Sequence, residues 1–198
     1  MDAISTFEGG FLLWIQNNLR NPFLTPIFTF LTHLGDKGIL WIGLSLILLA
    51  HPRTRRVGVT CLISIVLSFT VANLILKPIV NRTRPYEFIQ GLVNIIENQP
   101  DKSFPSGHST NAFAVAWVMF RSFQKKWGVP PLILACVICF TRLYVGVHYP
   151  TDVLVGIIIG ILASEAAMVI VKRLVKRYPR FRSFVRSRKP KEKKQSAR

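Results

Sequence analysis

Cysteine is scarce in this sequence, and carboxylates are few beside its basic residues. Three Cys in 198 residues cannot frame a disulfide scaffold. Asp and Glu together number 9, against 26 Lys plus Arg. Carboxylates so few and scattered leave little from which to build a Mg²⁺ or paired-metal site. The first 20 residues lack a basic leader and a small-residue cleavage site, so no cleaved signal peptide is expected. Disorder is excluded as well, because 50% of the residues are apolar.

What the chain does have is long apolar runs. Mean hydropathy is +0.36, and the runs fall at 23–34, 39–50, 57–76, 112–120, 130–140 and 153–171. The third and sixth reach the ~20 residues that cross a bilayer core. The first two are short, and the fourth and fifth reach spanning length only if residues 106–112 and 141–147 extend them. Before them, Phe7, Phe11, Trp14, Ile15 and Leu19 recur at helical spacing, with Glu8 and Gln16 elsewhere. The expected fold is therefore all-α: a polytopic membrane helix bundle of about six transmembrane helices, with five as the alternative count. An interfacial amphipathic helix over 1–20 precedes a membrane domain over 21–175, and a basic tail over 176–198 follows it.

The excess charge has a definite address. Residues 172–198 carry 13 of the 26 basic side chains with only Glu192 opposing, a net +12 of the total +17. A basic stretch that directly follows a spanning run reads as a topology signal facing anionic lipids of the cytoplasmic leaflet, rather than as a nucleic-acid arm. Residues 51–56 and 121–128 are basic too and belong on the same side. Arg20 and an even span count would place both termini in the cytoplasm. Lys37, Lys77, Arg82, Arg84, Lys102 and Arg142 are left over. Four of these, Lys77, Arg82, Arg84 and Arg142, lie at or near the outer ends of runs, against the orientation rule, so something else must require them.

A phosphate site would require them. Lys77 and Arg84 are seven apart, two helical turns, and can share one face at the end of the third run. Pro105-Ser106-Gly107-His108 stands where the fourth run begins, and a helix N-terminus there offers backbone N–H groups to an anion. Arg142 precedes His148, and Asp152 follows it by four, close enough to orient the imidazole by hydrogen bond. Each piece alone has a plainer reading: a capping His, a snorkelling Arg, a structural His–Asp contact. Three cations, two histidines, a carboxylate and a helix start on one side of one membrane outweigh those separate readings.

In order and spacing, Lys77-x6-Arg84-Pro85, Pro105-Ser106-Gly107-His108 and Arg142-x5-His148-x3-Asp152 resemble the three-part signature of the type-2 phosphatidic acid phosphatase superfamily. Thr141 stands where that signature usually has Ser, and keeps the hydroxyl. The resemblance covers about residues 20–175 and implies metal-independent phosphohistidine chemistry without a cofactor. It assigns His148 as nucleophile, Asp152 as its orienting partner and His108 as general acid. Lys77, Arg84, Ser106, Gly107 and Arg142 become the phosphate ligands. The implied activity is removal of a phosphate or diphosphate headgroup from a lipid at the outer leaflet, undecaprenyl diphosphate first. Phosphatidylglycerol phosphate or phosphatidic acid is the alternative, and a small anion channel or scaffold the non-enzymatic one. The partners expected are the lipid substrate and anionic lipids at the tail, with no nucleic acid and no obligate protein.

His148 is preferred as nucleophile because Asp152 lies near it in sequence, whereas no carboxylate flanks His108 so closely. Cys136-x-x-Cys139 and Cys61 sit in apolar surroundings and are read as packing residues. Glu165 receives no catalytic role. Asn73 and Asn111 are read as interhelical hydrogen-bonding residues, Asn111 with an option on the pocket, and the four Trp as anchors or packing.

Overall fold

The computed structural model of the protein describes residues 3–185, so the tail beyond Val185 lies outside the described residues. Among those described there are helices and turns but no strands. In chain order the elements are α1 (Ala3–Leu19), α2 (Leu24–Leu34), α3 (Ile39–Ala50), α4 (Arg55–Phe69), α5 (Lys77–Val80), α6 (Pro85–Phe88), α7 (Gly107–Ser122), α8 (Lys125–Tyr144), α9 (Pro150–Arg177) and α10 (Pro179–Val185). A 3₁₀ turn, Asp36–Gly38, joins α2 to α3, and a π-helical stretch, Thr70–Leu76, joins α4 to α5.

Helix α7 is the centre of the bundle, packed against α9, α8 and α4. Its Ala112, Ala114, Val115, Ala116 and Val118 are fully buried. Small side chains let helix backbones approach and exchange polar contacts, the usual adhesive between helices in an apolar solvent. Ser164 of α9 shows this, donating to the Ala114 carbonyl at 3.0 Å and lying 3.3 Å from Ser64 Oγ of α4. Outside the bundle, Ile47, Val66, Leu74, Ile79, Ile133, Leu154 and Leu162 are exposed, as lipid-facing positions should be.

Three stretches are long and apolar enough to cross a membrane: Arg55–Phe88, Lys125–Tyr144 and Pro150–Arg177. The two short first runs, which need either flanking residues or a packed hairpin to be accommodated, make the fourth candidate together. Helices α2 and α3 are bent by 46° at a short break, so they pass the spanning test only as a pair. A deflection of that size leaves the chain travelling onward, and the runs 23–34 and 39–50 are two parts of one broken element. The break has a local cause: Lys37 and Gly38 both adopt left-handed backbone, at φ of 53° and 71°, which an α-helix cannot continue.

Helix α1 exists, but its placement differs from the reading of its sequence. Phe7, Phe11 and Trp14 are exposed, while Glu8, Leu12 and Ile15 face inward and are buried. The sequence pattern puts Glu8 on the polar side. It is held inside by Arg82 Nη2 at 2.5 Å and the Thr151 backbone N–H at 2.8 Å. Arg20 follows the same pattern: Nε donates to the Tyr144 carbonyl at 2.9 Å and Nη1 to the Val93 carbonyl at 2.6 Å. Arg20 therefore sits at the end of the bundle that carries His148, not with the basic loops, and α1 lies at that end too. A single Arg weighs little as an orientation signal once backbone carbonyls satisfy it.

The basic loops do collect at the opposite end. Arg55 donates to the Phe184 carbonyl at 3.2 Å and lies over the Phe184 ring, folding α10 back beside the 51–54 turn. Arg121 pairs with Glu165 at 3.2 Å, and Trp117 Nε1 donates to the same carboxylate at 2.8 Å, which accounts for the lone acid in the last apolar run. Trp41 is fully buried, as are Cys61 and Cys139 nearly so, whereas Cys136 is exposed.

Candidate active site

The cations of the first motif are brought together by a helix that ends, not by one that continues. Pro78 has no N–H for the carbonyl one turn back, and the preceding Thr70–Leu76 stretch widens to π-helical geometry. Asn81 then closes α5 in the left-handed conformation, and Arg84 is extended, with ψ of 151°. The expectation that Lys77 and Arg84 share a helical face is thus replaced by convergence across a break. Both reach Asp101, Lys77 through a short ion pair and Arg84 Nη2 at 2.5 Å. Arg84 is buried, with Nη1 also donating to the Val147 carbonyl at 2.9 Å.

Pro105 and Ser106 set the start of α7. Ser106 is the N-cap: its hydroxyl accepts from the Ser109 N–H at 3.4 Å and from Ser109 Oγ at 3.0 Å. Ser106 is buried in this cap and is not among the residues that line the cavity described below. Gly107 and His108 do line it.

The third motif bridges α8 and α9. Arg142, near the end of α8, is almost fully buried and donates to Thr32 Oγ1 at 2.5 Å, while its Nε has no protein partner. His148 lies in the turn before α9, with Nδ1 3.4 Å from Asp152 Oδ2. That separation is long for a hydrogen bond, and Nδ1 has no closer partner; such contacts often tighten only once substrate is bound. Burial pushes the His148 imidazole down to about 3, Asp152 pulling upward while Arg84 and Arg142 press further down. The neutral, nucleophilic form is therefore the resting form at physiological pH.

Asp152 is anchored on every side. Oδ2 accepts from the Tyr149 N–H at 2.9 Å and from Ser103 Oγ in a short hydrogen bond, and Oδ1 accepts from Arg82 Nη1 at 2.7 Å. Arg82 in turn holds Glu8 and stacks its guanidinium 3.7 Å from the Tyr149 ring centroid. In the sequence Arg82 is only a cation on the unexpected side, with no role attached to it. Glu8 and Ser103 carried no signal at all, being distant in sequence from every motif.

His108 supplies the sharpest correction. Asp36 Oδ1 lies 3.0 Å from His108 Nε2, closer than Asp152 is to His148, and Asp36 Oδ2 lies 2.8 Å from His33 Nδ1. His108 does have a flanking carboxylate, one that comes from 72 residues earlier in the chain.

Lys77, Arg84, Gly107, His108, Arg142 and His148 line one cavity of about 680 Å³. Asp36, Asn73, Asp101 and Asn111 share its polar wall, and Ile42, Ile65, Val66 and Phe69 form an apolar wall between α3 and α4. Asp101 belongs to the loop over this cavity. Burial raises its carboxyl, but Lys77 and Arg84 outweigh that and hold it below the ordinary carboxylate range. Among the described residues, no three of His, Cys, Asp and Glu gather in a geometry fit for a metal ion. Burial and Arg142 push the His108 imidazole down as well, to about 4, against the upward pull of Asp36. Chemically, the cavity offers an anion three cations, a helix start and two imidazoles that rest neutral, one of them beside a carboxylate it contacts directly.

Comparison with known proteins agrees with this geometry. Residues 58–176 match the PAP2 superfamily. The undecaprenyl-diphosphatase of Sulfolobus acidocaldarius is 30% identical over 137 residues, 69% of this chain and 66% of that protein. Phosphatidylglycerophosphatase B of Bacillus subtilis is 32% identical over 156 residues, 73% of each. The crystal structure of a transmembrane PAP2-type phosphatidylglycerolphosphate phosphatase from Bacillus subtilis superposes with a TM-score of 0.74 at 26% identity, covering 90% of both chains. With its spanning helices and with the motif residues around one cavity, this chain belongs to the PAP2 superfamily and is a membrane phosphatase of that family.

Proposed function

We propose that the protein removes a phosphate or diphosphate headgroup from a long-chain lipid through a phosphohistidine intermediate, with undecaprenyl diphosphate as its first substrate. One observation carries the reading: the cavity that gathers Lys77, Arg84, Arg142, His108 and His148 has an apolar wall opening between α3 and α4. A charged headgroup and a hydrocarbon tail both find their own surface there. Exposed Val66 and Phe69 carry that wall toward the bilayer.

The chemistry follows from the residues. His148, neutral and oriented through Nδ1 by Asp152, attacks phosphorus with its other nitrogen. The bond to the leaving oxygen breaks as His108, which takes up a proton once the phosphate dianion is bound beside it, gives that proton to the oxygen. Lys77, Arg84, Arg142 and the N–H groups at the start of α7 stabilise the charge on the equatorial oxygens. His108, now neutral, accepts a proton from water, which cleaves the phosphohistidine and releases phosphate. None of these steps calls on a metal.

The site stands at the end of the bundle opposite the basic loops, which by the orientation rule is the extracytoplasmic end. On that reading α1 and Arg20 are also extracytoplasmic, and the basic residues that follow α9 meet anionic lipids inside. Phosphatidylglycerol phosphate presents the same chemistry to the same cavity, so it belongs in the substrate panel.

The test is rapid quenching with radiolabelled substrate in detergent, using undecaprenyl diphosphate, phosphatidylglycerol phosphate and phosphatidic acid. Wild type and His108→Ala should carry acid-labile label on protein, and His148→Ala none. Label retained in His148→Ala would reverse the roles of the two histidines, and no label in either variant would remove the covalent intermediate.

A further inference from the structure

The cavity contains a second carboxylate–imidazole pair that none of the three motifs includes. Asp36 Oδ1 meets His108 Nε2 at 3.0 Å, and the contact is built into the backbone around it. Gly35 packs against the imidazole so closely that a Cβ there would stand 2.6 Å from His108 Cδ2. Lys37 and Gly38 take left-handed backbone immediately afterward. This bend between α2 and α3 is what delivers the carboxylate to the start of α7. His33 at 2.8 Å holds the other carboxylate oxygen from the outside.

We propose that Asp36 is a positioning residue for the acid–base step: by accepting at Nε2 it fixes the tautomer of His108, leaves Nδ1 to face the leaving oxygen, and stabilises the imidazolium that donates the proton. This rests on the proposed role of His108 as general acid. The molecule then contains two Asp–His dyads of opposite purpose. Asp152 orients a neutral nucleophile through Nδ1, and Asp36 supports a cationic acid through Nε2.

The charged surroundings make such support necessary. The charged groups facing His108 are Asp36 from the α2–α3 turn and Arg142 from α8, while Lys77 and Arg84 line the same cavity from the α4–α6 stretch. The charged and titratable groups facing Asp36 are His108, His33 and, across the cavity, Arg142. Three cations share the cavity with an imidazole that must itself become a cation, and like charges oppose that. Asp36 is the carboxylate in direct contact with the ring.

Asp36→Asn keeps the shape and removes the charge. With phosphatidic acid as probe, kcat should fall about 10- to 100-fold, part of the 10²–10⁴-fold range of a general acid, while KM stays within about twofold. With p-nitrophenyl phosphate, whose leaving group needs little protonation, the loss should be under about threefold. The alkaline limb of the kcat–pH profile should move to lower pH, because the acid form loses its partner, and Asp36→Glu should restore part of both effects. Equal losses on the two probes, a change in KM alone, or an unmoved limb would overturn the proposal.

Wild-type protein gives a readout that does not depend on any variant folding. ¹⁵N-histidine spectra should show neutral His108 protonated at Nε2, and an Nδ1–H tautomer would overturn the proposal. His108→Ala separates this inference from its premise. If it leaves phosphatidic acid turnover intact, the general-acid reading fails; if it lowers turnover while Asp36→Asn does not, only the role of Asp36 fails.

Discussion

Substituting Glu8 by Gln tests whether α1 is part of the catalytic scaffold or merely lies beside it. The Glu8 carboxylate is 2% exposed, and its partner Arg82 is 22% exposed. Oε1 accepts from the Thr151 N–H at 2.8 Å and from Thr151 Oγ1 at 2.6 Å, while Oε2 takes the Arg82 guanidinium. Arg82 passes this contact on to Asp152 Oδ1 at 2.7 Å. Gln removes one of the two carboxylates on Arg82 while Asp152 keeps the guanidinium paired, so the cost is about 2–3 kcal/mol, below that of a buried charge left with no partner. At about 2–4 °C per kcal/mol for a chain of this length, Tm should drop by roughly 4–12 °C. Differential scanning fluorimetry in a fixed detergent reads the shift. Glu165→Gln is the control, since Glu165 is 41% exposed and its pair with Arg121 is 3.2 Å long. Exposed pairs contribute at most about 1 kcal/mol, so that variant should stay within about 4 °C of wild type. If the two variants shift Tm equally, Glu8 is not the buried anchor described above.

Two further expectations concern the cavity. Asp101 holds the Lys77 and Arg84 cations that a phosphate must claim, so Asp101→Asn should lower KM for phosphatidic acid by several-fold; an unchanged or higher KM would show that the carboxylate does not compete. The ion pairing contributes in full above the ordinary carboxylate pKa and is lost as pH falls through the depressed value, so the difference from wild type should be plain at pH 7 and shrink in strong acid. Phosphate release should survive EDTA, and loss on chelation with recovery on adding Mg²⁺ or Zn²⁺ would sink the phosphohistidine account.

Composition and spacing alone settled a good part of this protein. Apolar runs near the thickness of a bilayer mark a membrane bundle because a backbone in lipid must satisfy its own hydrogen bonds, and helices do so locally. The three motifs were legible because each keeps its residues within about ten positions of one another, at Lys77–Arg84, Ser106–His108 and Arg142–Asp152. Five of those side chains, with Gly107, do line one cavity. Even there the reason was partly mistaken, since Pro78 and Asn81 break the helix that was to carry Lys77 and Arg84 on one face.

The rest was decided by which segments the fold brings together. Asp36, Asp101, Glu8 and Ser103 are ordinary polar residues in the sequence, and hydropathy treats each as loop or helix surface. Their importance comes from partners 17 to 74 residues away: Arg84 for Asp101, Asp152 for Ser103, His108 for Asp36 and Arg82 for Glu8. The path of the first 50 residues was hidden for the same reason. Two short apolar runs joined by Gly35-Asp36-Lys37-Gly38 fit a hairpin and a broken helix equally well by composition. Left-handed backbone at Lys37 and Gly38, and the close seat of Gly35 on His108, resolve the choice. Periodicity records which face of a segment is apolar. Only tertiary packing fixes which polar group meets a buried charge, because that pairing is chosen by the cost of leaving the charge unpaired and not by anything local to either residue.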